Sequence, residues 1–353
     1  MLNRTRTIAT FFLLVFLAAC APAAPDSADA APAPTTAVSA ADLGMVKAYV
    51  ETQAAALHES ILQLQAASER YYALAEAAGF DYPALWDARQ PEVLDALRAA
   101  RAAFLAANPQ YEQMEGVVAG VPSLSQFDVI LDAGTSGADG SQDAVPFDLT
   151  LPDGRLLPKP GNLFEVTEAA LWGTDPAYII AGIQPDYNGN GQPDLGDALP
   201  DASVLKAAAD AFAGYTAELK TAAAAWQPTE IEAFGALVAN IPTFSDFMEG
   251  WKNSRFVMGE ASTERGFVAT SRLSDLSDNI LSWQKIYAGL SPLVKTVAPE
   301  QDEQITRDLE SLYQYVSGLY RQESIEGKRF TPEEADILNA EGQNRAAALA
   351  GQI

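Results

Sequence analysis

Between Asp186 and Asp197 the chain places side-chain oxygens at a spacing that suits a hard cation. Asp186, Asn188, Asn190, Asp194 and Asp197 fall at positions one, three, five, nine and twelve of a twelve-residue stretch, with Gly191 at position six. A hard divalent cation needs six or more oxygens around it, and a loop wrapping one needs a sharp turn midway, which glycine permits. Gln192, at position seven, would supply its backbone carbonyl. Asn188 and Asn190 bring oxygens without charge, and Asp197 is shorter than a bidentate glutamate, so the spacing predicts structural calcium of weak, extracellular-grade affinity. The alternative is an acidic Gly-Asn turn cluster that holds no ion.

Other candidate chemistry is sparse. His58 is the single histidine, and His58-Glu59-Ser60-Ile61 is not the HExxH pattern of a zinc peptidase. A Ser-His-Asp triad would have to draw on His58 from the first helix, against the simpler reading of a histidine packed or exposed on a helix face. Glu115 and Asp132 could pair as acid and base, but no spacing brings them together. No catalytic residue is assigned. Cys20, the one cysteine, ends the run Leu17-Ala18-Ala19-Cys20, which resembles the bacterial lipobox. It follows Arg4, Arg6 and an apolar stretch, Ile8 to Leu17, too short to span a bilayer comfortably. The sequence thus predicts a signal peptide over residues 1–19 and an acylated Cys20 anchoring the chain to a membrane.

The scaffold that positions these groups is mostly helical. Residues 21–41 are Ala, Pro, Ser and Thr with few bulky apolar side chains, and read as a tether. Beyond it lie roughly 310 residues, ample for a large core. The formal charge is −25; loss of Arg4 and Arg6 with the leader leaves 20 basic and 47 acidic residues, or −27. That balance argues against a nucleic-acid partner and suits a cation-binding or highly soluble protein. Val46, Val50, Leu57, Ile61, Leu64, Tyr71 and Leu74 keep the spacing of one buried helix face from about 42 to 78. Further helices are expected near 91–107, 109–119, 163–172, 203–226, 228–240, 243–258, 273–290, 299–322 and 331–350. Pro228, Pro299 and Pro332 mark starts, and Thr331 with Glu334 forms a capping box. Abundant alanine permits close helix approach, so the expected fold is all-α, one or more antiparallel bundles. The exception is 134–162, where Pro146 to Leu151, Asp153-Gly154 and Leu156-Leu157 predict a small inserted β-hairpin. Two halves meeting near residue 200 are compatible with this pattern.

Two resemblances sharpen the reading. The 186–197 stretch resembles the EF-hand loop and, more closely, the calcium loops of dockerin-type repeats. Over about 42–350 the chain resembles the imelysin-like proteins, which include iron-uptake lipoproteins of the EfeO/EfeM type and a group filed as insulin-cleaving membrane proteases. Tyr111-Glu-Gln-Met-Glu115-Gly-Val-Val-Ala119 with Asp132 is similar to that family's YExIEPVA and ID segments, and Glu165-Val-Thr-Glu168-Ala-Ala-Leu-Trp172 to its HxxExALW helix. Ala209-Asp210, Phe247-Met-Glu249-Gly-Trp-Lys, Arg255-Phe-Val, Ser271 to Leu276 and Tyr287 to Pro292 resemble its later helices. The resemblance implies a metal site of Glu165, Glu168, Asp210, Glu249 and Glu115. Glu165 stands where the family has histidine, so the implied site is all carboxylate. Such a site favours ferric or ferrous iron, manganese, calcium or magnesium over zinc.

The function these readings imply is an extracytoplasmic, metal-binding lipoprotein of the cell envelope, on its periplasmic or extracellular face, accessory to iron or other cation uptake beside a permease or other envelope protein. A metallopeptidase and a calcium-stabilised surface binding module are the alternatives. Replacing Cys20 with Ser is expected to abolish firm membrane association. Cell fractionation checks this, and a mutant still tightly bound to membranes would exclude the lipid anchor.

Overall fold

The computed structural model describes residues 40–262 and 264–353; the leader, Cys20 and most of the tether lie outside the described residues. Helix α1 (Leu43–Ala77) turns through Gly79 and Phe80, both with left-handed backbone, into α2 (Tyr82–Val118). A short α3 (Ser125–Asp128) continues into one π-helical turn, Val129–Ala133. The hairpin strands β1 (Leu149–Thr150) and β2 (Leu156–Leu157) pair antiparallel around Gly154, with Leu149 opposite Leu157. Then come α4 (Leu163–Trp172), β3 (Ile179–Ile180) and β4 (Leu199–Pro200). The chain closes with α5 (Ala202–Ala225), α6 (Glu230–Asn240), α7 (Phe244–Asn253), α8 (Arg255–Met258), α9 (Arg272–Val297), α10 (Pro299–Ser324) and α11 (Pro332–Ala350).

The fold is an all-α bundle, as the apolar periodicity predicts, with the small hairpin β1–β2 inside the 134–162 stretch where one is expected. Val46, Val50, Leu57, Ile61, Leu64 and Tyr71 form the buried stripe of α1, which packs on α2, α5 and α9. Helix α9 also packs on α10, α7 and α6, and one hydrophobic core runs through all of them. The described residues form one compact unit, with no division near residue 200. Among the described residues no helix is long and apolar enough to cross a membrane.

Three elements differ from the sequence reading. Helix α2 runs unbroken through Pro109, where separate helices near 91–107 and 109–119 are expected; its one departure from helical backbone is at Arg89. Pro109 removes the donor for the carbonyl of Leu105, a residue 43% exposed, so the freed oxygen lies on an open face where solvent can satisfy it. The helix expected over 243–258 breaks at Ser254, whose extended backbone and side-chain bond to the Phe256 amide start α8. The pairing of β3 with β4, which clasps the 186–197 loop, carries no alternating pattern to betray it.

One close approach sets the spacing between α2 and α9. A Cβ built on Gly116 of α2 would lie 2.8 Å from both Ser282 Oγ and Trp283 Cδ1 of α9. Gly116→Val should force the two helices apart and lower stability by about 1–3 kcal/mol, the usual cost of overpacking a core. Chemical denaturation checks this, and an unchanged midpoint would show that α9 needs no glycine opposite it.

Candidate functional site

Helix α2 presents Glu112 and Glu115 one turn apart on a single face. Helix α9 faces them with Arg272, Asp275 and Asn279, and the π-helical turn adds Asp132. The ligand oxygens of Glu112, Glu115 and Asp132 lie within 4.8 Å of one another, and among the described residues they are the one such acidic group. The three residues are 1%, 9% and 8% exposed. Asn279 Nδ2 donates to Glu112 Oε2 at 2.8 Å and to Glu115 Oε2. Asp275 accepts from Asn108 Nδ2 at 2.8 Å and pairs with Arg272 Nη1 at 3.2 Å. The Arg272 guanidinium is stacked on Phe267 at 3.7 Å and on Phe247 at 4.1 Å. Tyr111 donates its hydroxyl to Asp128 at 2.7 Å beside this group.

Local backbone explains how Asp132 reaches the site. The wide π turn brings the carbonyl of Val129 to 2.1 Å from where a Gly134 side chain would begin, so only glycine fits there. The Gly134 carbonyl then accepts from both the backbone and the side-chain amide of Asn162. Asn162 also caps α4, its Oδ1 accepting from the Glu165 amide at 2.8 Å. One asparagine thus ties the loop bearing Asp132 to the helix bearing Glu165 and Glu168.

These elements enclose a cavity of about 610 Å³, lined by Glu115, Asp132, Glu165 and Glu168 together with Arg265 and Arg272. Of the implied metal residues, the structure brings Glu115, Glu165 and Glu168 to this cavity; Glu165 sits open to solvent on its wall, and Glu168 is buried. It separates the other two. Asp210, on α5, is occupied by Lys206 Nζ at 3.0 Å and Gln65 Nε2 at 2.8 Å. Glu249, on α7, is held by Lys252, Asn253 and Asn339. Neither lines the cavity. The sequence reading missed Glu112, Asp275 and Asn279, and it had no means of joining Asp132 to Glu115. The signal for Glu112 was its i, i+3 relation to Glu115, which a solvated helix face would show equally.

Burial dominates the electrostatics. It pushes the Glu112 and Asp132 carboxyls well above the ordinary carboxylate range, with Asp275 and Glu115 respectively adding repulsion. Burial also raises Glu115, against the bond from Asn279, and raises Asp275 in spite of Arg272. It lifts Asp128 to about 7 and Asp278, which accepts from Gln113, to about 6. Glu168 reaches about 7 by burial, although the backbone amides of Ala269 and Val268 oppose the rise.

Elsewhere, His58 Nδ1 lies 3.0 Å from Thr216 Oγ1 and does not line the cavity. In the 186–197 loop, Asp186 caps the amides of Gly189, Asn190 and Gly191. The side-chain amides of Asn188 and Asn190 both donate to Asp194 Oδ2 at 2.7 Å, and Asp197 accepts from the Asp194 amide. The Gln192 amide donates to Asn190 Oδ1. The loop is fixed to the bundle by Arg101, which stacks on Tyr187 at 3.5 Å and donates to the carbonyls of Leu171 and Gly196.

A helical bundle around a buried cluster of carboxylates defines a class of protein suited to cations or to carboxylate acid–base chemistry. Within that class the chain belongs to the imelysin family: a family model described as Imelysin, whose title places it among peptidases, matches residues 46–353. Comparison with curated proteins gave no match.

The raised carboxyls make a test of the cation-free protein. A carboxyl whose folded value is raised binds its proton more tightly folded than unfolded, so its favourable contribution is present at low pH. It is lost as pH rises from the ordinary value through the raised one. Asp128 and Glu168 at about 7 and Asp278 at about 6 set the window from about pH 4 to 7. The melting temperature in chelator should fall across it, each tenfold difference in proton affinity being worth about 1.4 kcal/mol, and Asp128→Asn should flatten the fall. A flat profile in the parent protein would show that these groups are solvated.

Proposed function

We propose that Glu112, Glu115 and Asp132 take a hard cation at the edge of the cavity, which Glu115 and Asp132 line. On this reading the protein is an extracytoplasmic binding protein, anchored through Cys20 and accessory to the uptake of iron or another cation beside an envelope permease. The observation that carries it is the convergence of three buried carboxylates within 4.8 Å, while the neighbouring guanidinium of Arg272 is already paired with Asp275. Buried negative charge in such excess must be met by protons or by a cation. The spacing suits an ion, because two oxygens flanking a cation at typical ligand distances are at most about 5 Å apart. An all-oxygen set favours ferric iron, manganese, calcium or magnesium over zinc. The 186–197 loop is proposed as a separate, structural calcium site, supported by its oxygen spacing and by the left-handed turns at Gly189 and Gly191.

A peptidase is the second reading, favoured by the family title and by the closeness of Glu115 to Asp132. Two carboxylates sharing a cavity, one protonated and one ionised, can act as acid and base on a bound water.

Elemental analysis of the purified protein without added ions, followed by titration with Mn²⁺ and Fe³⁺, separates these readings. Glu115→Gln should weaken cation binding by at least about tenfold, as loss of a charged ligand in a buried site requires. It should leave intact a calcium-dependent rise in melting temperature, which Asp186→Ala should instead remove. Absence of any bound cation, or affinity indifferent to Glu115→Gln, would exclude the cation site. Hydrolysis of a denatured protein substrate that is lost in the same variant would establish the peptidase.

A further inference from the structure

Glu165 and Glu168 stand three residues apart on α4, and the resemblance makes them equivalent metal ligands, but the structure uses them differently. Glu165 lines the cavity at an exposed position, its carboxyl raised by partial burial and by Asp139, and among the described residues it grips no backbone amide of another segment. Glu168 is 5% exposed, and its Oε1 accepts from the backbone amides of Val268 at 3.0 Å and Ala269 at 2.8 Å. Its oxygens are not part of the group formed by Glu112, Glu115 and Asp132.

The segment it grips forms a wall of the cavity. Glu264, Arg265, Gly266, Phe267 and Thr270 all line the space, in a stretch without helix or strand. Among the described residues, no backbone–backbone hydrogen bond begins or ends at residues 264–270. Phe267 holds φ at 55°, a conformation costly for a side chain of that size and one that needs support from its surroundings. That support comes from Glu168 behind the next two amides and from the stacking of Phe267 on Arg272. The wall is thin: Thr270 also borders a second cavity, of about 540 Å³, lined by Ser271, Ser274 and Glu323.

We propose that Glu168 is a positioning residue and not a ligand: it latches the 264–271 segment against the bundle as the partition between the two cavities. Taken with the cation reading of the Glu112–Glu115–Asp132 group, on which this part rests, the latch controls how fast a cation enters and leaves. Oε1 is committed to two backbone amides, which fixes the carboxylate against the segment, and neither of its oxygens belongs to the Glu112–Glu115–Asp132 group.

Amide hydrogen exchange on the intact protein, combined with Mn²⁺ as probe, tests this. In Glu168→Ala the amides of Val268 and Ala269 should exchange at least about tenfold faster, because their acceptor has been lost, and Mn²⁺ should dissociate faster. Glu168→Gln keeps an acceptor oxygen and should restore both amide protection and the slow dissociation. If Glu168→Ala does not fold, Glu168→Asp withdraws the acceptor by one methylene with the charge retained and is read in the same way. Unchanged protection without the acceptor overturns the latch. So does loss of Mn²⁺ affinity in Glu168→Gln with both amides still protected, which would make Glu168 a ligand. Should the parent protein bind no Mn²⁺, the cation reading fails, and the exchange rates alone decide the latch.

Discussion

Between α2, α9 and the π-helical turn, Glu112, Glu115, Asp132 and Asp275 share their space with one guanidinium, that of Arg272. Four carboxylates cannot all be ionised there without a cation, because a buried charge lacking a counter-charge costs far more than a folded domain has to spare. The neighbours fit this constraint. Asn279 offers both its amide hydrogens to Glu112 and Glu115, Asn108 supplies one to Asp275, and Tyr111 gives its hydroxyl to Asp128. Arg272, clasped by Phe247 and Phe267, keeps its charge in apolar surroundings because Asp275 is in contact with it.

Holding that group together requires the backbones to come close. Gly116 follows Glu115 directly and lets Trp283 of α9 lie against α2. Asn240, from α6, donates to the Gly116 carbonyl at 2.9 Å, so the end of α2 is held from two sides. The alanine-rich stretches of α2 and α5 serve the same end, since a small side chain lets helix axes approach with little volume between them. Function here is concentrated where the helices depart from regularity: at the π turn, at Gly134 and in the irregular wall before α9.

The bundle was legible because burial leaves a period. The stripe from Val46 to Tyr71 names the inward face of α1, and the capping box at Thr331 starts α11 where it should. The acidic site was not legible in the same way. Periodicity tells which face of a helix is buried but not which helix it will meet, so Glu112 and Glu115 read equally as a solvated pair. Their partner Asn279 lies more than 160 residues away along the chain. Asp210 and Glu249, carried over by resemblance, each sit beside a lysine one helical turn away, Lys206 and Lys252. That spacing was in the sequence and marks a surface ion pair rather than a free ligand. Pro109 misled for a related reason: proline argues for a break, but a helix held by tertiary contacts tolerates one lost hydrogen bond on an open face.

The loop and the cavity use the same residue types to opposite electrostatic ends. In the loop, hydrogen bonds from Asn188 and Asn190 hold the Asp194 carboxyl below its ordinary value at the surface of the protein. At the cavity, burial holds Glu115 and Asp132 above theirs, and Glu112 beside them likewise. An ion reaching the loop would meet the Asp194 carboxylate at the surface, at little desolvation cost, and the loop could choose chiefly by how many oxygens the ion will accept. An ion entering the buried acidic group must displace protons and give up its own water. Only a high charge density repays that exchange. On the proposed reading, the two sites therefore differ in what they select, the loop by size and the cavity by charge, although both are built from carboxylates and amides.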